Sequence, residues 1–248
     1  MNRNLTHGCD GARLAVQIGY HAWPNCLACQ ARAFSACAAL SEDELATLHA
    51  LASPVRFAPK DALLEQGQSA PTVYNITSGT VRLYSLLPDG RRQIVGFALP
   101  GDFIGLSMQE TASISADALD TVSACAFSRA TYSALADSKP LLLRRLHDMA
   151  NHELTLAQEQ MMLLGRRSAE EKVVCFLLAM QRRWARIGLA SVTVPLPMGR
   201  QDIADFLGLT IETVSRTLTR LARDRVILIV PHGVRLMNSS HMAMVAAA

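Results

Sequence analysis

No apolar run in the 248-residue chain approaches the roughly 18 residues that a membrane-crossing helix needs, so an integral membrane protein is not expected. The opening stretch, MNRNLTHGCDGARLAVQIGYHAWPNC, has no compact apolar core ending in a small-residue cleavage site, so the expected location is the cytoplasm. Cysteine is scarce. Six residues, Cys9, Cys26, Cys29, Cys37, Cys125 and Cys175, are too few for a secreted disulfide scaffold of this size, which leaves them reduced, metal-bound or buried. Charge of one sign is also in short supply. Lys and Arg exceed Asp and Glu by 24 − 21 = 3, an excess that permits nucleic-acid binding without arguing for it. No nucleophile–base pairing is visible and no glycine-rich phosphate loop opens a helix, which weighs against an enzyme. What is present is a chain 50% hydrophobic and 18% charged, a composition that excludes wholesale disorder and can fill one large core or two modest ones.

The pattern changes three times along the chain. Residues 1–40 hold four of the six cysteines with little periodicity, as in a segment wrapped onto a neighbouring domain. Ser41 with Glu44 three residues on forms a capping box, so a helix is expected from there to just before Pro54. Over 41–138, short runs such as VYNIT, VRLYSLL and RQIVGFAL alternate with glycines, which predicts a small antiparallel barrel or jelly roll. Asp89-Gly90 is placed at a tight hairpin turn. Over 139–165 the pattern predicts one long helix with Leu142, Leu146, Met149, Leu156 and Leu163 at spacings of threes, fours and sevens. That stripe either packs on the chain's own barrel or pairs with a second copy. A helix of about 25 residues, well beyond the ~11–12 average, favours the dimer. A second capping box, Ser168 with Glu171, opens the final region, 166–248.

Within that region, RQDIADFLGLTIETVSRTLTRLA over 200–222 fits a helix-turn-helix position by position. Ala204 is small where two helices must cross, and Gly208 suits a left-handed turn backbone. Thr210 caps the second helix, and Val214 and Leu218 give it an inner face. Glu212, Ser215, Arg216 and Thr219 then project outward, where a recognition helix meets a major groove. Arg216 can grip guanine O6 and N7, Glu212 can accept from cytosine N4, and Ser215 can bond a base edge or make room for a thymine methyl. Thr210, Thr219 and Arg220 are expected on the DNA backbone, with Arg223 and Arg225 following as further cations. VILIVPHGVRLM reads as a two-stranded wing turning at Pro231-His232-Gly233. The alternative is an ordinary helical hairpin with solvated charges.

A barrel, a long dimer helix and a C-terminal winged helix-turn-helix resemble the CRP/FNR superfamily of bacterial transcription regulators, and the likeness runs from Ser41 to the end. The fold it implies is α+β. I-E-T-V-S-R over 211–216 resembles the FNR and FixK branch, in which Glu, Ser and Arg read a TTGAT half-site, and implies a TTGAT-N4-ATCAA palindrome. In the cyclic-nucleotide receptors of the superfamily a Glu binds the ribose and an Arg the phosphate. Here Leu106 stands at the Glu position and no Arg occurs between Arg92 and Arg129. A buried phosphate would lack its counter-charge, so cyclic AMP is not expected as a ligand.

CLACQARAFSAC is C-x2-C-x7-C, and Cys125 lies far downstream in TVSACAFS. Four thiolates suit a [4Fe–4S] cluster, and equally a zinc ion. The resemblance to FNR implies the cluster, on Cys26, Cys29, Cys37 and Cys125, with a longer spacer than the enterobacterial form has. It further implies an oxygen-responsive regulator, mainly an activator, working as a homodimer on double-stranded DNA and touching RNA polymerase through loops such as the 86–93 hairpin tip. Its targets would include nitrogen-fixation or anaerobic-respiration genes. The alternatives within the superfamily are a cluster-free FixK-type regulator and a haem-based nitric-oxide sensor. Cys9 is expected to be a spare thiol and Cys175 a core residue.

Overall fold

The computed structural model describes residues 26–105, 111–166 and 168–247. Cys9 and Leu106 lie outside them. The fold is α+β, a cyclic-nucleotide-binding-type β-sandwich followed by a helical helix-turn-helix region.

Residues 26–39 form three short 3-10 turns, and helix α1 (Glu42–Leu51) follows with the expected Ser41–Glu44 capping box in place. Eight strands then build the sandwich: β1 (Ser53–Phe57), β2 (Ala62–Leu64), β3 (Thr72–Ser78), β4 (Val81–Leu86), β5 (Arg92–Ala98), β6 (Phe103–Ile104), β7 (Ser115–Ala118) and β8 (Val122–Ser128). They pair antiparallel in two four-stranded sheets, ordered β1-β8-β3-β6 and β2-β7-β4-β5. The inner faces meet in a core of Phe57, Ile76, Val81, Ile104, Val122 and a set of alanines, whose small size lets the sheets approach closely. Strand alternation sorts the other residues outward: Val73 and Asn75 of β3, with Cys125 and Phe127 of β8, face away from that core. The β4–β5 connection is longer than the tight turn read from Asp89-Gly90. It spans residues 87–91, and only Gly90 there has a positive φ, +81°.

The outer face of the first sheet is covered by residues 36–40, α1, a helix α2 (Arg129–Ser138) and the start of α3 (Pro140–Arg166). Gly101 marks how closely the N-terminal segment lies on the sandwich. Its φ is +96°, and a Cβ there would come within 3.0 Å of Phe34.

The third core belongs to the C-terminal region: α4 (Ala169–Arg186), β9 (Thr193–Pro195), α5 (Arg200–Leu207), α6 (Ile211–Arg223), the wing strands β10 (Ile227–Val230) and β11 (Gly233–Leu236), and α7 (Ser239–Ala247). The capping box of Ser168 and Glu171 opens α4 as expected. Half-buried Cys175 packs against this core. Ile94, Phe97 and Leu99 of the sandwich join the same cluster, and Phe97 meets Phe176 and Phe206 at ring centroids of 6.3 and 5.5 Å. The sandwich and the helix-turn-helix therefore share a hydrophobic seam.

Candidate DNA interface and thiol site

Helix α5 ends at Gly208, whose φ of +61° makes the left-handed turn the motif needs. Thr210 then caps α6, its hydroxyl accepting from the Thr213 N–H at 3.2 Å. Ala204, Val214 and Leu218 are buried between the two helices. The opposite face of α6 carries Glu212, Arg216, Thr219 and Arg220 in solvent, with Ser215 half-exposed. Ser215, Arg216, Thr219, Arg220 and Arg223 line a shallow groove of about 350 Å³.

These side chains are not equivalent. Arg216 and Glu212 make no ion pair among the described residues. Arg220 donates to Glu170 Oε2 of α4 at 2.7 Å, and the Thr219 hydroxyl donates back to the Ser215 carbonyl at 2.9 Å. No spacing rule announces the Arg220 tie, because Glu170 is fifty positions away. Arg235 is exposed on wing strand β11, while the wing itself turns at Pro231-His232 with His232 at φ +58°.

The stripe on α3 reads differently in three dimensions. Leu142 is buried against the sandwich, with Leu146 and Met149 packed beside it, and Leu163 is buried in the C-terminal core. Leu156 is half-buried. The chain's own cores claim most of this stripe, because α3 must cover the sandwich at one end and the helix-turn-helix at the other. On the neighbouring column, Leu143, His147, Ala150, Leu154, Ala157 and Met161 are all exposed, at alternating spacings of four and three.

The thiols collect on the outer face of the first sheet. Cys26 and Cys29 bracket a 3-10 turn, and the Cys26 sulfur is 3.5 Å from His49 Nδ1 of α1. Cys37 is held by the Ser35 cap, whose hydroxyl accepts from the Cys37 N–H at 3.2 Å. Its sulfur accepts from Asn75 Nδ2 at 3.6 Å, and Asn75 is the cross-strand neighbour of buried Cys125. Burial pushes the Cys37 thiol up to about 11, with Cys26 and Cys29 adding to the shift, and burial and Cys29 raise Cys26. Two polar atoms at this spot have no partner among the described residues, Asn75 Oδ1 and the Tyr132 hydroxyl. Burial, and the Cys37 sulfur nearby, raise the Tyr132 phenol. Sequence reasoning missed Asn75, His49 and Tyr132, which no spacing rule connects to cysteines.

Among the described residues no three His, Cys, Asp or Glu side chains converge closely enough to hold a single metal ion. A cubane is larger than one ion and takes its thiolates at separate corners. Cysteine donors on the N-terminal segment and on β8, Arg32 as a cation beside Cys26, and a Tyr132 hydroxyl free among the described residues to donate to sulfur are features that suit such a group. By donor type, the residues suit it.

Two family models match the chain. One is the cyclic nucleotide-binding domain, over residues 54–139, and the other is bacterial regulatory proteins of the crp family, over residues 196–227. The transcriptional activatory protein AadR of Rhodopseudomonas palustris is 50% identical over 220 residues, 89% of this chain and 92% of that protein. The nitrogen fixation regulation protein FixK of Bradyrhizobium diazoefficiens is 46% identical, covering 90% of this chain and 94% of its own. Among solved structures, FixK2 from Bradyrhizobium japonicum superposes with a TM-score of 0.74 at 36% identity, covering 79% of this chain and 98% of that one.

Proposed function

The chain belongs to the CRP/FNR family of transcription regulators, and we propose that it is an oxygen-responsive activator governed by a [4Fe–4S] cluster on Cys26, Cys29, Cys37 and Cys125. CRP/FNR regulators bind DNA and act as dimers. Here the active form is a homodimer on a TTGAT-N4-ATCAA-type palindrome. It works in the cytoplasm under low oxygen at genes of nitrogen fixation or anaerobic respiration, in keeping with relatives named as activators and nitrogen-fixation regulators. The domains are a sensor segment over 1–40, a sensory sandwich over 41–138, a dimer helix over 139–165 and a DNA-binding region over 166–248. Cyclic AMP has no part in this reading. Among the described residues no helix is long and apolar enough to cross a membrane.

One observation carries the sensor: Cys37 rests on Asn75, beside Cys125, so the segment bearing three thiols is laid on the strand bearing the fourth. When bound, the cluster supplies oxygen-labile iron–thiolate bonds. The chain supplies the geometry. Four cysteines gripping one group tie residues 26–37 to β8, and the same core contains Tyr132, Leu135 and Leu142 at the root of the long helix. Loss of the tie loosens that root, and a difference of a few kcal/mol in dimer affinity then suffices to switch DNA binding.

At the DNA, Arg216, Glu212 and Ser215 read bases while Thr210, Thr219 and Arg220 meet the backbone. Two such helices sit one helical turn apart in the dimer. RNA polymerase is met by the hairpin tip over 86–93, where Leu86, Leu87, Asp89 and Arg91 are exposed. The dimer seam is the exposed column of Leu143, Leu154 and Met161.

Likeness to FixK proteins favours a second reading, a regulator of the same targets that works without a cluster. Cys29→Ser and Cys125→Ser separate the two. Both are expected to lose bound iron and anaerobic transcription from a TTGAT palindrome together. Full transcription from iron-free variants would establish the cluster-free reading.

A further inference from the structure

Away from the thiols and the recognition helix, a cavity of about 190 Å³ opens where four parts of the chain meet. Its wall takes Phe34 from the N-terminal segment, Pro100 and Asp102 from the turn before β6, Arg145 from α3, and Arg183 and Arg186 from the end of α4. Three guanidiniums share one small space, and one of them is matched by a hydrogen-bonded carboxylate. Arg183 donates to Asp102 Oδ2 at 2.6 Å, an oxygen that also accepts from the Leu99 N–H at 2.8 Å. Arg186 is engaged by the His152 ring, which brings no negative charge. Arg145 Nε is buried with no hydrogen-bond partner among the described residues.

An unmet buried donor is costly, more so on a charged group, and a guanidinium cannot shed its proton to escape the penalty. A further charged neighbour is Glu153 of α3, close enough to feel Asp102, Arg183, His152 and Arg186. Glu153 as a whole is exposed, and burial of its carboxyl with the adjacent Asp102 raises its pKa against the pull of Arg183, His152 and Arg186. The cavity is left with surplus positive charge and donors still to give.

We propose that this cavity binds a compact phosphate group, held by the guanidiniums of Arg145, Arg183 and Arg186. Planar guanidinium forks match tetrahedral oxyanions in pairs of hydrogen bonds, which a point-like ammonium cannot do. The space is below the roughly 300–1,000 Å³ of sites for drug-sized ligands, so the occupant is a free phosphate or the phosphate of a small monoester, not a nucleotide. Bound there, it bridges α3 to α4, the helix that packs in one core with the DNA-reading helices, with Phe34 of the thiol segment as the third wall. Occupancy stabilises that junction by mass action. The site goes beyond the oxygen-sensing reading and stands whether or not a cluster forms.

Calorimetric titration of the full chain with inorganic phosphate, and separately with glycerol phosphate, both against a chloride background of matched ionic strength, tests it. Saturable binding of either probe is expected, and the tighter one identifies the source. Arg145→Gln and Arg186→Gln should each weaken it at least tenfold, while Arg56→Gln, exposed on β1, leaves it unchanged. Glu153→Gln removes a carboxylate and should tighten binding several-fold, a gain that a misfolded variant could not produce. Absence of saturable binding in the unaltered chain, or equal affinity in the chain and Arg145→Gln, overturns the proposal.

Discussion

Arg216 and Arg220 sit one turn apart on α6, yet their surroundings give them different work. Arg216 projects into solvent without an ion pair, ready for a base edge, and Arg216→Ala should cost about 1–3 kcal/mol at the cognate palindrome while barely changing affinity for scrambled DNA. Competition binding with the two duplexes measures this. Arg220 is tied to Glu170. Glu170→Gln frees it, and the dependence of log affinity on log salt should steepen by about one phosphate contact per subunit. At the thiol site, Tyr132 is 2% exposed, and its hydroxyl lacks a partner among the described residues. Removing such a group without changing the shape around it is neutral to stabilising. Tyr132→Phe in the metal-free chain should therefore raise Tm by about 2–4 °C, for a gain near 1 kcal/mol. Capping serines and the turn glycine at 208 were legible residue by residue, since each follows a local rule of spacing or backbone angle. Asn75, Glu170 and His49 were not. Their partners are set by sheet register and helix docking across 38, 50 and 23 positions respectively.

Helix α3 shows why periodicity finds an element more easily than its facing. Two columns of apolar residues run along it one position apart, Leu142-Leu146-Met149 and Leu143-Ala150-Leu154, and both satisfy a seam of threes and fours. The first belongs to the stripe that the sequence spacing suggests for a dimer. The fold spends it on the chain's own two cores, where Leu142 is fully buried. Distinct outcomes follow for the two columns. Leu154→Glu should shift sedimentation from dimer to monomer with little change in the monomer's melting temperature. Leu142→Ala, which opens a cavity in the core beneath α1 and α2, should destabilise the fold by about 2–5 kcal/mol in a denaturant melt.

Across the whole molecule, the sandwich grips the helix-turn-helix through charge as well as through the Phe97–Phe176–Phe206 contact. Arg82 of β4 reaches both Asp117 of β7 and Asp202 of α5. Arg92 of β5 bonds Asp202 at 3.0 Å and Asp205 at 2.8 Å, and Gln93 donates to the Asp205 carbonyl at 2.7 Å. Both guanidiniums lie over the Tyr84 ring. The two carboxylates raise Arg82 above its ordinary range in spite of the desolvation that opposes them. The network holds the helix-turn-helix against the sandwich, a connection no sequence pattern announces because Arg82 and Asp202 are 120 positions apart. Arg82→Leu strands Asp117, while Asp202 keeps Arg92. The loss should be roughly 2 kcal/mol, below the ~3–5 kcal/mol of a fully dry pair, because Arg82 and Asp117 keep 14% and 11% side-chain exposure. Amide exchange in α5 should quicken correspondingly.

The most direct test joins the two ends of this molecule in one sample. The chain purified without oxygen is assayed for iron and acid-labile sulfide, its absorption spectrum taken, and its dimer content and palindrome binding measured, then all are measured again after air. The expected result is about four irons and four sulfides per subunit, a dimer on DNA, and loss of colour, dimer and binding together on exposure. Iron-free protein that binds the palindrome equally before and after air would contradict it.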